Sequence, residues 1–464
     1  MDTKPQNRLT NLLIVFLGVV ILMSLALYNG YPLVFNHDSG VYLENAFDVY
    51  VSPDRPVMYS LFIKFVSRGY SFWLVPTAQA LLLSYVLYLF FEGRTKNSAF
   101  IFSICFLSLF MGLSFEVSWL MPDVFAGVLL SCMILLLFFE LQWYHKLFLY
   151  AMVIFCTAVH NSNSYIAIGS LFLSALLLIP IYVKSRSTSY ILLWKKIGAV
   201  FATVVFAILL NAGIHKFLGG DFESSKGGSV FLFSNLIEMG VVDEFLDQRC
   251  PDKKYRLCTY KDSLPNNFLW DSNSPINKTD GWKHPEEYQL ITKDILLTPE
   301  YTFKVGYQSA IYTLKQLVNF DVVDIGGVGE RVKKAVFMHI PQEHYPLMTS
   351  REAQHRLDIS WLNYFNIFFF FAAVLFNISI LRSKSASMKI KMITVFIFLI
   401  LIVNAFICSV FSGVHPRYQG RISWTIILPF VLIYQNQIQT IITKFCHYGI
   451  NNFNALIKRG KNNF

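Results

Sequence analysis

Ten mostly apolar runs, most near twenty residues long, recur along this chain at 10–30, 71–91, 98–115, 122–141, 147–160, 165–183, 191–212, 361–381, 392–411 and 422–441. A helix needs about 20 such residues to cross the hydrocarbon core of a bilayer. The runs therefore predict an all-α polytopic membrane protein of about ten transmembrane helices. The fifth run is the shortest. An eleventh apolar stretch, 56–66, is too short to span and reads as re-entrant or interfacial. Composition agrees: of 464 residues 55% are hydrophobic and only 15% charged, against roughly 25% charged in soluble proteins. That excludes a disordered chain, a collagen, a coiled coil and an ordinary soluble enzyme.

The charges predict sidedness. With the N-terminus placed in the cytoplasm, the inner pieces hold Lys4, Arg8, Arg94, Lys96, Lys146, Lys184, Arg186, Lys195, Lys196, Arg382, Lys384, Lys389, Lys391, Lys444, Lys458, Arg459 and Lys461, against Asp2, Glu92 and Glu140. The short outer loops are close to neutral, and 213–360 carries 17 basic and 20 acidic residues. This is the positive-inside pattern. It accounts for the net charge of +10 through contact with anionic lipid heads, so no nucleic-acid partner is expected. Both termini are expected in the cytoplasm. The first run lacks a cleavage site and reads as a retained anchor. Abundant Lys, Asn, Ile and Phe suit an AT-rich bacterial genome, and hence a bacterial inner membrane.

Three units follow: a bundle over 1–212 whose first outer loop is 31–70, an extracytoplasmic segment over 213–360, and C-terminal helices with a tail over 361–464. The middle segment has ordinary soluble composition, turn-rich pieces and expected helices near 230–248 and 285–318. It is expected to cap the bundle. Cys250 and Cys258 are its only cysteines; an oxidising compartment would allow a disulfide there, and spacing alone leaves this open. Asn277-Lys278-Thr279 fits a glycosylation sequon, a triplet that also arises by chance.

Ionisable groups at a membrane edge are costly and default to functional candidates. Four clusters fall on the predicted outer face. His37-Asp38-Ser39-Gly40 follows the first run, with Tyr42 and Asn45 on the same helical face as Asp38; the competing reading makes Asp38 a helix cap. Pro53-Asp54-Arg55-Pro56 precedes Tyr59; it reads either as a rigid turn with a local ion pair or as an anion contact through Arg55. Glu116, Trp119 and Met121-Pro122-Asp123 lie at the mouth of the fourth run, where Asp123 suits a helix N-terminus or a substrate. His415-Pro416-Arg417-Tyr418-Gln419-Gly420-Arg421 breaks the charge rule with two outer arginines. Arg421 either snorkels to lipid phosphates or joins Arg417 in clamping a phosphate. His160, at the end of the fifth run, reads as a polar cap or a substrate contact.

An outer-face transferase lacks nucleotide-activated donors and needs one delivered in the membrane. A lipid phosphate fits: arginines can neutralise charge on the leaving phosphate and a carboxylate can take the acceptor's proton. Phe35-Asn36-His37-Asp38-Ser39-Gly40-Val41-Tyr42, Asp54-Arg55-Pro56-Val57-Met58-Tyr59, Met121-Pro122-Asp123-Val124-Phe125-Ala126-Gly127 and His415-Pro416-Arg417-Tyr418 together resemble the GT-C superfamily of integral-membrane glycosyltransferases. The resemblance covers roughly 10–212 and 361–441 and leaves out the outer segment.

The resemblance implies an inverting glycosyltransferase using a polyprenyl-phosphate sugar and a glycan, lipid or protein acceptor. Asp38 would be the base and Asp123 would orient the acceptor or help hold a metal. Arg417, Arg421, His415 and Arg55 would bind the donor phosphate. Tyr42, Tyr59, Glu116 and His160 would contact substrate, with Trp119 a further stacking candidate. Ser39 stands where a second acid is common, so a divalent metal (Mg or Mn) stays open. The rival readings are a transporter or flippase for a lipid-linked glycan, a glycan polymerase or ligase, and a structural subunit.

Overall fold

A computed structural model describes residues 8–91, 97–185, 188–225, 227–253 and 255–461. Of the charges used above, Asp2, Lys4, Glu92, Arg94, Lys96 and Arg186 lie outside the described residues, as do the side chains of Arg8, Lys184, Lys458, Arg459 and Lys461. The fold is all-α. Among the described residues the only strand-like contact is one isolated parallel bridge, between Leu33 and Trp119.

The first part comprises α1 (Arg8–Leu22), α2 (Ser24–Asn29), α3 (Asn36–Asp48), α4 (Met58–Ser67), α5 (Leu74–Leu89), α6 (Asn97–Phe110), α7 (Leu113–Ser118), α8 (Val124–Phe138), α9 (Trp143–Val159), α10 (Asn161–Ser185) and α11 (Thr188–Phe217). The middle holds α12 (Gly228–Glu238), α13 (Val241–Arg249), α14 (Pro275–Lys278), α15 (Glu286–Leu297), α16 (Pro299–Leu317), α17 (Glu330–His339) and α18 (His344–Thr349). The last part is α19 (Trp361–Arg382), α20 (Met388–Phe411), α21 (Pro416–Ser423) and α22 (Leu428–Lys461).

Among the described residues, five helical stretches are long and apolar enough to cross a membrane: Asn161–Pro180, Tyr190–Phe217, Trp361–Arg382, Met388–Phe411 and Pro416–Lys444. The other five expected spans are helical but only 14 to 17 residues long in α1, α5, α6, α8 and α9. At 1.5 Å per residue they reach about 21–26 Å, short of the roughly 30 Å core. Turns inside the apolar runs shorten α1 and α6. The first run breaks at Met23, and the third stops before Gly112, whose φ of +69° ends the helix. The run 56–66 is the ten-residue α4, too short to span, as expected.

α8 is the axis of the bundle. Fourteen of its fifteen residues are buried, so it is buried all round, the pattern of a central helix. Its two ends differ in chemistry. Glu140 follows its C-terminus and pairs with Lys196 at 2.7 Å and Lys146 at 3.9 Å, beside Lys389 stacked on Phe139. Asp123 precedes its N-terminus, beside Arg421. The Glu140 lysine cluster and the Asp123–Arg421 pair thus lie at opposite ends of α8.

The segment 213–360 does not act as one unit. Val230 to Val305 supply a separate core with Phe233, Leu236, Phe245, Phe268 and Ile291 fully or almost fully buried. Both expected helices in this cap are broken in two. Gly240 takes a φ of +67° between α12 and α13, and Pro299 restarts the chain as α16. Cys250 and Cys258 are disulfide-bonded. From Phe320 onward the chain instead joins the bundle core through Val322, Val332, Val336, Ile340 and Leu347.

This returning strap is fastened by two buried carboxylates. Glu343 accepts from the Tyr31 hydroxyl at 2.8 Å, the Phe72 amide at 3.1 Å and the Ser71 hydroxyl. Glu352 accepts from the Val34 amide at 3.2 Å. Burial pushes the Glu352 carboxyl from its ordinary 4.5 up to about 8, against that single amide. The folded state therefore keeps a proton that the unfolded chain releases above 4.5. Stability should fall as pH rises from about 4.5 to about 8, by at most about 1.4 kcal/mol per pH unit, and then level off. Glu352→Gln should remove this dependence. Thermal melts in detergent from pH 5 to 9 should show the variant gaining on the wild type up to about pH 8; parallel profiles would mean that Glu352 is ionised in the fold.

Candidate active site

The Leu33–Trp119 bridge sets the register of the site. The Leu33 amide donates to Ser118 at 2.9 Å and the Leu120 amide donates to Leu33 at 2.8 Å. Gln79 holds the same strand from below, donating to the carbonyls of Val117 and Trp119. These bonds place the start of α3 next to the turn before α8. The Ser39 hydroxyl closes the junction, donating to Leu120 at 3.1 Å. The strap fixes the third approach. A side chain on Gly420 would run into the Asp321 carbonyl, so glycine there lets α21 lie against the strap. Gln316 donates to the His415 carbonyl and accepts from the His415 amide at 2.8 and 2.9 Å, holding the N-terminus of α21 in place.

The result is a carboxylate between two guanidiniums. Asp38 Oδ1 accepts from Arg55 at 3.3 Å, and Oδ2 accepts from Arg417 at 3.2 and 3.3 Å. Arg55 is shared with Asp54 at 2.7 Å, so the local pair expected from the sequence coexists with a long-range one. Arg55 also lies over the Tyr42 ring and Arg417 over the Phe35 ring, at 5.0 and 4.5 Å. Phe35, not Asp38, is the N-cap of α3. Burial raises the Asp38 carboxyl, but Arg55 and Arg417 outweigh it and hold it below the usual carboxylate range. It is ionised at neutral pH.

A second pair lies behind the first. Arg421 reaches Asp123 Oδ1 at 3.3 Å and the Ser162 hydroxyl at 2.9 Å, with its side chain fully buried. It therefore does not snorkel. Asp123 precedes α8 but its side chain caps nothing. Glu116 is almost fully buried nearby, and neither of its oxygens has a partner. Burial and the Asp123 charge raise its carboxyl well above the ordinary value.

A cavity of about 910 Å³ opens in front of Asp38. Asp38, Tyr42, Arg55, Asp123, His160, His415 and Arg417 line it. Four predicted candidates do not: Arg421, Tyr59, Glu116 and Trp119. Tyr59 is packed by Tyr42, Phe62 and Phe125, and its hydroxyl donates to Gln79 at 2.7 Å. Trp119 packs on Phe35 and Phe115. Both aromatics are core residues.

Sequence reasoning missed Asp324 on the strap and Ser229, Phe231, Trp270 and Gln289 on the cap, all of which line the cavity. Burial raises the Asp324 carboxyl, with Arg417 and His415 opposing. The Asp321-Val322-Val323-Asp324-Ile325-Gly326-Gly327 turn is the one sequence signal that could have drawn attention to it.

Among the described residues no three His, Cys, Asp or Glu side chains gather as a metal-ligand set. The cavity carboxylates Asp38 and Asp123 are each already paired with arginine. This donor set does not fit a divalent ion held by protein ligands alone. Comparison with known protein families, curated proteins and solved structures finds no match to this chain.

Proposed function

We propose that this chain is a membrane glycosyltransferase of GT-C type. It would move a sugar from a polyprenyl-phosphate donor to an acceptor on the outer face of a bacterial inner membrane. Both termini would lie in the cytoplasm, and the short helices would complete a bundle of about ten membrane-inserted segments. The observation that carries the reading is the Asp38 carboxylate held between Arg55 and Arg417 on the wall of the large cavity.

The geometry suits the chemistry. A carboxylate offers about four lone-pair directions, and the arginines occupy three. One remains for an acceptor hydroxyl. As the acceptor oxygen bonds to the anomeric carbon, the carbon–oxygen bond to the donor phosphate breaks with inversion. The hydroxyl proton passes to Asp38, and polyprenyl phosphate leaves with the bonding electrons. Arg417 and Arg55 are ready-made phosphate partners, since planar guanidiniums bind phosphate bidentately. Without donor they neutralise Asp38; a donor phosphate would draw them off and raise the basicity of Asp38 when it is needed. His160, His415, Tyr42 and Asp123 line the remaining space and would orient the acceptor.

The test is release of polyprenyl phosphate by the purified chain in proteoliposomes, from a panel of polyprenyl-phosphate hexoses, pentoses and aminosugars. Arg417→Ala should weaken donor binding about tenfold to a hundredfold, since a charge-assisted pair is worth roughly 1.5–3 kcal/mol. Unchanged donor affinity in that variant would remove Arg417 from the phosphate site.

A further inference from the structure

The cavity has two chemically different walls. The bundle wall carries most of the charges, with Glu223 a further lining carboxylate between α11 and α12. The cap wall carries Phe231, Trp270, Ser229 and Gln289. Two contacts fix the spacing between them: the Gly227 amide donates to the Pro53 carbonyl at 2.6 Å, and Asn161 donates to the Ser225 hydroxyl at 2.7 Å. The Pro53 contact is two residues from Arg55, so the cap wall is tied directly to the ion-pair site.

The aromatic wall is built, not incidental. Trp270, Phe231 and Trp282 pack against one another with ring centroids 5.8 to 6.4 Å apart. Asn277 locks the group. Its amide donates to the carbonyls of Leu269 and Asp271, on either side of Trp270, at 3.3 and 2.8 Å, and its oxygen accepts from the Trp282 indole at 3.3 Å. One side chain of the sequon triplet thus has an internal role. Trp270 nevertheless stays 52% exposed. Two neutral groups flank it, Gln289 donating to the Ser229 hydroxyl at 3.1 Å, while Glu223 lines the cavity just ahead of α12.

We propose that the cap wall is a carbohydrate subsite, with Trp270 stacking on the apolar face of a pyranose ring and Ser229 and Gln289 binding its hydroxyls. The chemistry of Trp270, Ser229 and Gln289 suits a neutral sugar ring. A sugar ring presents C–H groups on one face and hydroxyls at its rim, matching a rigid aromatic plate beside uncharged amide and hydroxyl groups. A lipid chain would offer nothing to the hydrogen-bonding capacity that Gln289 and Ser229 keep beyond their mutual bond. This deepens the transferase reading, since a glycan on this wall would be the acceptor facing Asp38; binding itself does not depend on transfer.

The full-length protein in detergent is titrated with neutral oligosaccharides of two to four hexose or N-acetylhexosamine units, read by tryptophan fluorescence and saturation-transfer NMR. At least one should bind saturably. Trp270→Ala should weaken it tenfold or more at an unchanged melting temperature, and Trp270→Phe should keep it within about threefold. Failure of every oligosaccharide to bind, or equal affinity in Trp270→Ala, overturns the subsite. So does a Trp270→Ala variant that loses affinity for polyprenyl phosphate alone, which would make the wall a lipid groove. Glycan binding lost in Trp270→Ala, with no transfer from any polyprenyl-phosphate sugar, supports the subsite and counts against the transferase reading alone.

Discussion

Asp38→Asn should lower turnover with a polyprenyl-phosphate sugar by about 10²-fold or more, the scale expected for losing a positioned base, while donor affinity holds or rises. The two effects separate because Asp38 has two partners. In the donor-free protein it neutralises Arg55 and Arg417 at 3.3 and 3.2 Å. Asparagine keeps the shape and loses the charge, so both arginines become freer to meet a phosphate. Turnover and binding then move apart, a pattern that general unfolding cannot give, since unfolding lowers both. Single-turnover transfer gives the first quantity, and equilibrium binding of a fluorescent polyprenyl-phosphate sugar gives the second. Wild-type turnover would remove Asp38 as the base. A parallel fall in affinity would make it a structural brace for the arginines.

The positions of the helices were legible because apolar runs of this length have few other uses. Their ends were not. Met23 and Gly112 stop helices inside runs that stay apolar on both sides, so hydropathy carries no mark of the turn. Asp38, Arg55 and Arg417 stood out as charges at apolar boundaries. Their meeting did not, since Arg417 reaches Asp38 across 379 residues of chain. The hydrogen bonds that bring them together run through backbone groups of the strap and of the Leu33–Trp119 bridge. Residues in soluble-looking sequence were the hardest to find. Trp270 and Asp324 sit among polar and turn-forming neighbours where neither is unusual, and only the folding of cap and strap over the bundle turns them inward. Tyr59 and Trp119 show the reverse error. An aromatic at a membrane edge and one in the core look alike until neighbours such as Phe62, Phe115 and Phe125 close over the ring.

Arg421 separates structure from chemistry within a single motif. It shares α21 with Arg417, yet Arg417 faces the cavity and Arg421 is fully buried against Asp123, Ser162, Asn404 and Cys408. Arg421→Leu would leave the Asp123 carboxylate buried without its counter-charge, which typically costs about 3–5 kcal/mol. The variant should show a large drop in melting temperature and poor recovery from the membrane. Asp123→Asn combined with Arg421→Leu should regain most of that loss, because the stranded charge is gone and the neutral amide needs only hydrogen bonds. A surface arginine that touched lipid phosphates would behave otherwise: its truncation would cost little, and the second substitution would rescue nothing. The cycle also reads out function. If Asp123 acts only as the partner of Arg421, the double variant should transfer sugar at near the wild-type rate once folded. If Asp123 also orients the acceptor, stability returns in the double variant and turnover does not, because the residue has lost its charge.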